Sequence, residues 1–385
     1  IYNQIPGLNI YQNDDAGLQL NIGGRGLNPN RTANFNTRQN NYDISADALG
    51  YPESYYTPPP EGLEEIQILR GAASLQYGTQ FGGLINFKLK GPKPDDKFEL
   101  ITRNTVGSNN LYTNFTSISS SNDNLGYYGY VNYKIGDGFR QNSDFESINT
   151  FQSLNLKLTD RSKLTSEITY LEYLAHQAGG LSDRMFEIDP YQSNRERNWF
   201  QVKWLLYNLK YLYEISPDSN FSFSFFGLDA TRNALGFRTN RVDQIDFGDE
   251  RDLIKGRFRN FGFETRYINN YTVLNKKSYL LLGAKYYNSF SESTQGPGSA
   301  SKDANFNFDY LNFPNYVNQS EYSYPNFNLA LFGENIFYLN ENFSITPGFR
   351  YENINTNLDG YYRRINLDAA GNTIYNEVFQ ESDSK

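Results

Sequence analysis

Cysteine is missing from the 385 residues, and histidine and methionine occur once each. Without cysteine there is no disulfide framework and no thiolate-held metal. The lone His176 cannot build a multi-histidine metal centre, and no cofactor is expected. Long apolar runs are also missing; none approaches the roughly 18 residues of a membrane-crossing helix. Positive charge is in deficit, 35 Lys and Arg against 43 Asp and Glu, for a net charge of -8. That argues against a nucleic-acid partner, which would favour a basic face. A Ser-His-Asp nucleophile set and a phosphate loop are absent, and the paired carboxylates Glu64-Glu65 and Asp95-Asp96 have no identifiable partner. An enzyme therefore has no support. The chain opens at Ile1 without an initiating methionine or signal peptide and closes at Lys385 in polar sequence. It is expected to be part of a longer natural chain.

Aromatic residues are in excess: 16% of the chain, with 32 Tyr and 29 Phe. An aromatic-rich, polar, cysteine-free chain fits a soluble all-β protein or a transmembrane β-barrel. Barrels escape hydropathy scales because lipid-facing and lumen-facing residues alternate. The length allows two or more domains.

The first 90 or so residues differ from the rest. They carry Gly-rich turns (Gly23-Gly24-Arg25-Gly26, Gly82-Gly83), a Pro58-Pro59-Pro60 run and short apolar stretches such as Ile66-Gln67-Ile68-Leu69. This reads as a small α/β domain with short strands and long loops. Gly91-Pro92-Lys93-Pro94-Asp95-Asp96 reads as a linker. From Lys97 the pattern becomes period two. In 125–135, Leu125, Tyr127, Val131, Tyr133 and Ile135 share one face, and Tyr128, Tyr130, Asn132 and Lys134 the other. The first set is expected to face lipid and the second the lumen. Phe221, Phe223 and Phe225 alternate with Ser222 and Ser224 in the same way. Further strands are expected near 97–106, 110–119, 148–158, 164–174, 199–214, 258–271, 278–290, 325–338 and 343–354. Short polar turns alternate with longer loops near 136–147, 175–198, 232–257 and 291–324. A soluble sandwich has no reason to keep its long loops at one end; an outer-membrane barrel does. No repeated blade motif supports a propeller.

Four elements of the N-terminal region carry a family resemblance. They are Ile5-Pro6-Gly7-Leu8-Asn9-Ile10, then Ile22-Gly23-Gly24-Arg25-Gly26-Leu27-Asn28-Pro29, then Leu63 through Arg70-Gly71, then Tyr77-Gly78 with Gly82-Gly83-Leu84-Ile85-Asn86. In that order and spacing they resemble the plug domain of TonB-dependent outer-membrane receptors. Gly179-Gly180-Leu181-Ser182-Asp183 and Phe332-Gly333-Glu334-Asn335-Ile336-Phe337 with their continuations are similar to the ferric citrate receptor group within that superfamily. The sequence departs from the usual plug pattern at Tyr42-Asp43-Ile44-Ser45-Ala46-Asp47-Ala48, where the family often has an apolar strand ending in Asp-Gly. The resemblance implies a mostly β chain. Residues 1–92 would be the C-terminal part of the plug, and 93–385 the first half of the transmembrane antiparallel β-barrel. About eleven strands are expected here, against about 22 in plugged transporter barrels. Half a barrel would leave unpaired edges in lipid, and the segment that binds the TonB energising complex of the inner membrane is expected before Ile1.

The same resemblance points to site residues. Arg25 and Arg70 would dock the plug on barrel-wall glutamates, with Glu334 favoured and Glu352 second; otherwise they are surface arginines in solvated turns. Arg31 and Arg38, with Asn34, Asn36 and Gln39, are expected at a plug apex facing the outer vestibule. Arginine forks suit carboxylate-rich ligands; the plain alternative is a polar solvent loop. Arg232, Arg238, Arg241 and Arg251 would add a second basic ring, a reading weakened by the interleaved Asp243, Asp246, Asp249, Glu250 and Asp252. His176 is expected to be a bystander. The expected function is active uptake of a ferric chelate, citrate-like or a siderophore, with TonB and outer-membrane lipid as partners. The iron would arrive chelated, so no protein ligands to metal are required. One rival has the same architecture and imports cobalamin or a glycan, which Tyr51, Tyr55 and Tyr56 keep open. Another is a non-transporting surface barrel or adhesin, which would need no plug.

Overall fold

The period-two pattern becomes one antiparallel sheet. The structure is a computed structural model that describes residues 5–12, 20–24, 26–49, 53–69, 75–78, 83–93, 97–239, 241–273 and 275–385. The sheet runs in chain order through β7 (Glu99–Val106), β8 (Tyr112–Ser121), β9 (Leu125–Gly136), β10 (Phe145–Thr159), β11 (Ser162–His176), β12 (Trp199–Ser216), β13 (Ser219–Gly236), β14 (Arg251–Val273), β15 (Lys276–Gly298), β16 (Gln319–Tyr338), β18 (Gly348–Leu367) and β19 (Thr373–Ser384). Each strand pairs with the next. The short β17 (Ser344–Ile345) also pairs with β16 and is the leading end of β18, interrupted at Pro347. The sheet therefore has thirteen assigned strands and twelve crossings, one more than the sequence pattern marks. The extra crossing is β19, whose TIYNEVFQESDS carries little alternation.

The connections fall into two sets. At one end they are short: 122–124, 160–161, 217–218 and 274–275. At the other they include 137–144, 177–198, 237–250 and 299–318. Strands on the long-loop side run further than the sequence suggests. β14 and β15 have 23 residues each, about 75 Å of chain at the usual strand rise, well beyond a bilayer core of about 30 Å. Among the described residues no helix is long and apolar enough to cross a membrane; α1 (Asp183–Ile188) sits in the longest loop.

The pleat divides the faces as expected for 125–135. Leu125, Val131 and Ile135 are exposed, whereas Tyr128, Tyr130 and Asn132 are buried on the other side. The outer face carries a row of rings across neighbouring strands. Tyr207 to Phe225, Phe225 to Phe263, Phe263 to Tyr286 and Tyr286 to Phe327 lie 5.7, 5.1, 6.0 and 5.5 Å apart between centroids. Such pairs each add about 0.5–1.5 kcal/mol beyond area burial.

Against the inner face sits a second, mixed sheet in the order β4 (Tyr42–Asp43), β3 (Phe35–Gln39), β6 (Gly83–Leu89), β5 (Leu63–Leu69). β3 and β6 are parallel, β5 and β6 antiparallel. Separately, β1 (Leu8–Gln12) pairs antiparallel with β2 (Leu20–Gly24). Helix in this region is limited, among the described residues, to short 3-10 turns such as Asn30–Thr32 and Pro60–Gly62. The apolar core lies between the two sheets. Phe35, Tyr42, Ile44, Tyr56 and Phe87 share one buried cluster with Trp204, Leu206, Phe226, Phe258 and Tyr287 of the wall. Gly62 permits close approach there, since a Cβ would lie 2.7 Å from the Tyr130 ring.

Val131 stands mid-strand on the outer face. In the full-length protein Val131→Arg should impair assembly, at a cost of about 2–4 kcal/mol for a cation at mid-bilayer depth, and Val131→Leu should not. Heat-modifiable gel mobility of the membrane fraction measures this; equal folded fractions for both variants would refute the outward assignment.

Candidate functional site

Five residues of β3 are all buried, yet only Phe35 is apolar. Polar side chains in that position need partners, and the wall supplies them. The Arg38 guanidinium meets Glu264 of β14 at 3.3 Å, and its Nη1 and Nε also donate to the Asn41 carbonyl at 2.6 Å and Asn36 Oδ1 at 3.1 Å. Glu264 is shared, with Arg266 two residues along the same face at 2.6 Å. The Tyr77 ring lies 4.7 Å from the guanidinium carbon of both Arg38 and Arg266, within cation–π range. The Tyr77 carbonyl accepts from Asn36 at 3.4 Å. Gln39 bridges the sheets, donating to Thr169 at 2.9 Å and accepting from Tyr56 at 2.8 Å. Burial raises the hydroxyl pKa of Tyr42 and Tyr56 above the ordinary phenol value, so both remain neutral.

The next segment continues along the wall. Residues 42–47 are buried throughout. Asp43 meets Lys285 at 3.6 Å. Asn260 donates to the carbonyls of Ser45 and Ala46 at 3.2 and 2.9 Å. Tyr287 binds Asp47 and accepts from the Ala48 N–H at 3.1 Å, while Asn326 also donates to Asp47. Nearer the short-turn end, Arg350 donates to the carbonyls of Leu75 and Gln76 at 3.4 and 3.2 Å and pairs with Glu352 at 2.6 Å. The Gln76 N–H hydrogen-bonds the carboxylate of Glu334. A small sheet is thus held in a larger curved one by matched charges and amides.

The comparisons agree with this geometry. Residues 1–84 match the TonB-dependent Receptor Plug Domain family. The chain carries the fold of a TonB-dependent receptor. It superimposes on the ferric citrate transporter FecA in its unliganded form with a TM-score of 0.76, at 20% identity, over 100% of this chain and 56% of that one. The ferric yersiniabactin uptake receptor FyuA from Yersinia pestis gives 0.72 at 15% identity, over 99% and 57%. The pyoverdine outer membrane receptor FpvA from Pseudomonas aeruginosa PAO1, bound to pyoverdine, gives 0.72 at 11%, over 98% and 62%. At these identities the likeness concerns the fold, and the chain spans little more than half of each relative.

Against that fold the sequence-based site set divides. Arg25 and Arg70 lie outside the described residues, as does Tyr51. Arg31 is placed on the 3-10 turn, but its side chain lies outside them. Asn34 donates to the Asn28 carbonyl at 3.2 Å in an exposed position. Arg38 and Gln39 have no exposed surface; they stand at the plug–wall seam rather than on an open apex, because β3 is covered by β6 and the wall. Asn36 is nearly as buried. Arg38 thus makes a plug–wall ion pair of the kind expected of Arg25 and Arg70. Its partner Glu264 lay in a strand read only for periodicity. Glu334 accepts from the Gln76 backbone; the ion pairs expected of it with Arg25 or Arg70 fall on residues outside the described ones.

The expected second basic ring does not form. Arg251 is fully buried, donating to carbonyls of Arg197, Ser299 and Asp303 at 3.0, 2.8 and 2.8 Å. Arg238 pairs with Asp252 at 3.2 Å and Arg241 with Asp243 at 2.9 Å. Arg232 lies on β13, 5.8 Å from the Tyr55 ring. Arg238 and Arg251 tie loops to the wall, and Arg241 is paired within its own loop. Tyr55 packs on Phe200 and Trp204 and Tyr56 is buried, so neither offers an open stacking platform for a glycan. His176, at the end of β11, binds Asp144 at 2.5 Å and packs on Trp199 at the start of β12.

Deleting one partner of a buried ion pair costs about 3–5 kcal/mol because the other is left uncompensated. Glu264→Ala would strand two cations and Arg38→Ala none of the wall pairs. Leakage through the full-length protein should therefore rank Glu264→Ala above Arg38→Ala above wild type, measured by entry of a bulky antibiotic into cells. Equal leakage in all three would show that the seam does not hold the plug.

Proposed function

We propose that the chain is part of an outer-membrane receptor for TonB-driven uptake of a ferric chelate, with a citrate-like anion as first cargo. On this reading residues 1–92 are plug and 93–385 the first half of the barrel. The observation that carries it is the plug seam: a separate sheet fills the lumen, and ion pairs and side-chain amides replace a continuous strand ladder. Such a closure blocks passive flow yet separates without breaking the wall. The similarity to structures described as ferric citrate, ferric yersiniabactin and pyoverdine receptors supports an iron chelate as cargo.

From the sequence-based set, Arg31 and Asn34 are the proposed ligand contacts. Arg38, Asn36 and Gln39 act indirectly, by fixing the strand that follows the Asn30–Thr32 turn. Calorimetry on the full-length receptor tests this. Wild type should bind ferric citrate, and Arg31→Ala should weaken binding roughly tenfold, the worth of one charge-assisted hydrogen bond. If wild type binds only a neutral glycan or cobalamin, the iron reading falls. If Arg31→Ala binds ferric citrate as tightly as wild type, the cargo stands and the site does not.

A further inference from the structure

Two cavities lie below the plug seam on the same stretch of wall. The upper, about 60 Å³, is lined by the plug turn Asn40–Asn41 and by Lys210, Ser222, Ser224, Glu264 and Arg266. The lower, about 720 Å³, opens at the short-turn end; Pro92, Lys157, Arg161, Lys163, Leu212 and Glu214 are among its lining residues. They are one pleat step apart. Lys210 and Leu212 are alternate residues of β12 on its lumen face, and Lys163 of β11 pairs directly with Leu212. The lower space falls within the range of a small-molecule site, about 300–1,000 Å³; the upper holds little more than water.

The charges on this path are unequal in their commitments. Arg266, Lys285 and Arg350 each pair with a carboxylate. Lys210 and Lys163 have no carboxylate within salt-bridge reach among the described residues. Lys210 feels Glu167 and Glu264 only at longer range, with Lys163 and Arg266 as like charges nearby. The acids of the lower cavity, Asp123, Asp160 and Glu214, include one already bound, Asp160 to Lys157 at 2.7 Å. A two-residue hairpin turn of the plug covers the upper space. Asn40 and Asn41 both have positive φ, 46° and 73°, which closes the β3–β4 hairpin tightly. Asn40 is pinned to Glu167 at 2.7 Å and Asn41 to Asn86.

We propose that Lys210 and Lys163 form a cationic step that conducts an anionic chelate along the β11–β13 wall once the Asn40–Asn41 turn is withdrawn. Fixed cations without a protein partner offer a passing carboxylate-rich ligand charge-assisted contacts, and the flanking Ser222 and Ser224 offer hydroxyls without an apolar barrier. The inference rests on the uptake of an anionic chelate proposed above.

The test uses full-length receptor in energised cells with radiolabelled ferric citrate. Binding is measured on de-energised cells and uptake on energised ones, for wild type, Lys163→Glu/Lys210→Glu and Lys210→Arg. Binding should stay within about twofold in all three. Uptake should fall by roughly tenfold or more in the double glutamate variant, the effect of losing one charge-assisted hydrogen bond, and Lys210→Arg should retain it. Normal uptake by the double variant overturns the step. So does an increase in antibiotic leakage matching the loss of uptake, which would make the lysines plug-docking residues. Absence of ferric citrate binding by wild type is a different result: it removes the proposed cargo, and the step for that cargo with it.

Discussion

A charge buried between two sheets must be answered by another charge, and the Arg38–Glu264–Arg266 group is where this constraint is met. Removing three ions from water costs several kcal/mol each before any attraction is regained. The arrangement is therefore poor as a source of net stability and strict as a condition of fit. An apolar seam would hold the plug in many nearly equivalent positions. A seam in which Arg38, Asp43 and Asp47 must each find particular wall residues has one good position and many bad ones. On the proposed uptake, that combination, modest total strength with exacting registration, suits a part that must return to the same place after leaving it.

The fit is tied to the pleat of the wall. On β14, Asn260 and Glu264 point to the plug, and Phe261 and Phe263 belong to the outer aromatic row. A slip of one residue would place Phe263 where Glu264 stands and turn the carboxylate to the outside. The outer rings and the inner charges thus enforce the same register from opposite faces. Lipid exposure on one side and buried ions on the other are consequences of one alternation.

That alternation was legible in the sequence only where both environments act on it. Strand centres such as 125–135 and 220–228 were readable because lipid selects apolar residues on one face. Beyond the bilayer the selection ends. Residues 251–257, 291–298 and 319–324 lie in strands but read as loop, since both faces there meet polar surroundings or other loops. β19 escaped for the same reason. The plug site was less legible still. The run Phe35-Asn36-Thr37-Arg38-Gln39 looks like a solvated loop because its polar residues give no sign that the wall has partners for them. Arg38 was noticed for its charge and given to a ligand; its real neighbour is 226 positions away. The segment from Tyr42 to Ala48, which departs from the usual plug pattern, is the one that runs along the wall. Its wall partners are Lys285, Asn260, Tyr287 and Asn326.

The layout of that segment also sets how it yields to force. Its contacts follow chain order, Asp43 first, then Ser45 and Ala46, then Asp47 and Ala48, each met by one or two wall groups. Bonds strung in sequence along a strip peel one after another when one end is pulled, whereas bonds loaded side by side must rupture together. The peak tension needed to detach the strip is therefore governed by its strongest single contact, not by their sum. A seam that resists thermal escape through all its contacts at once can still open under a modest directed pull, and can close again by the same steps in reverse.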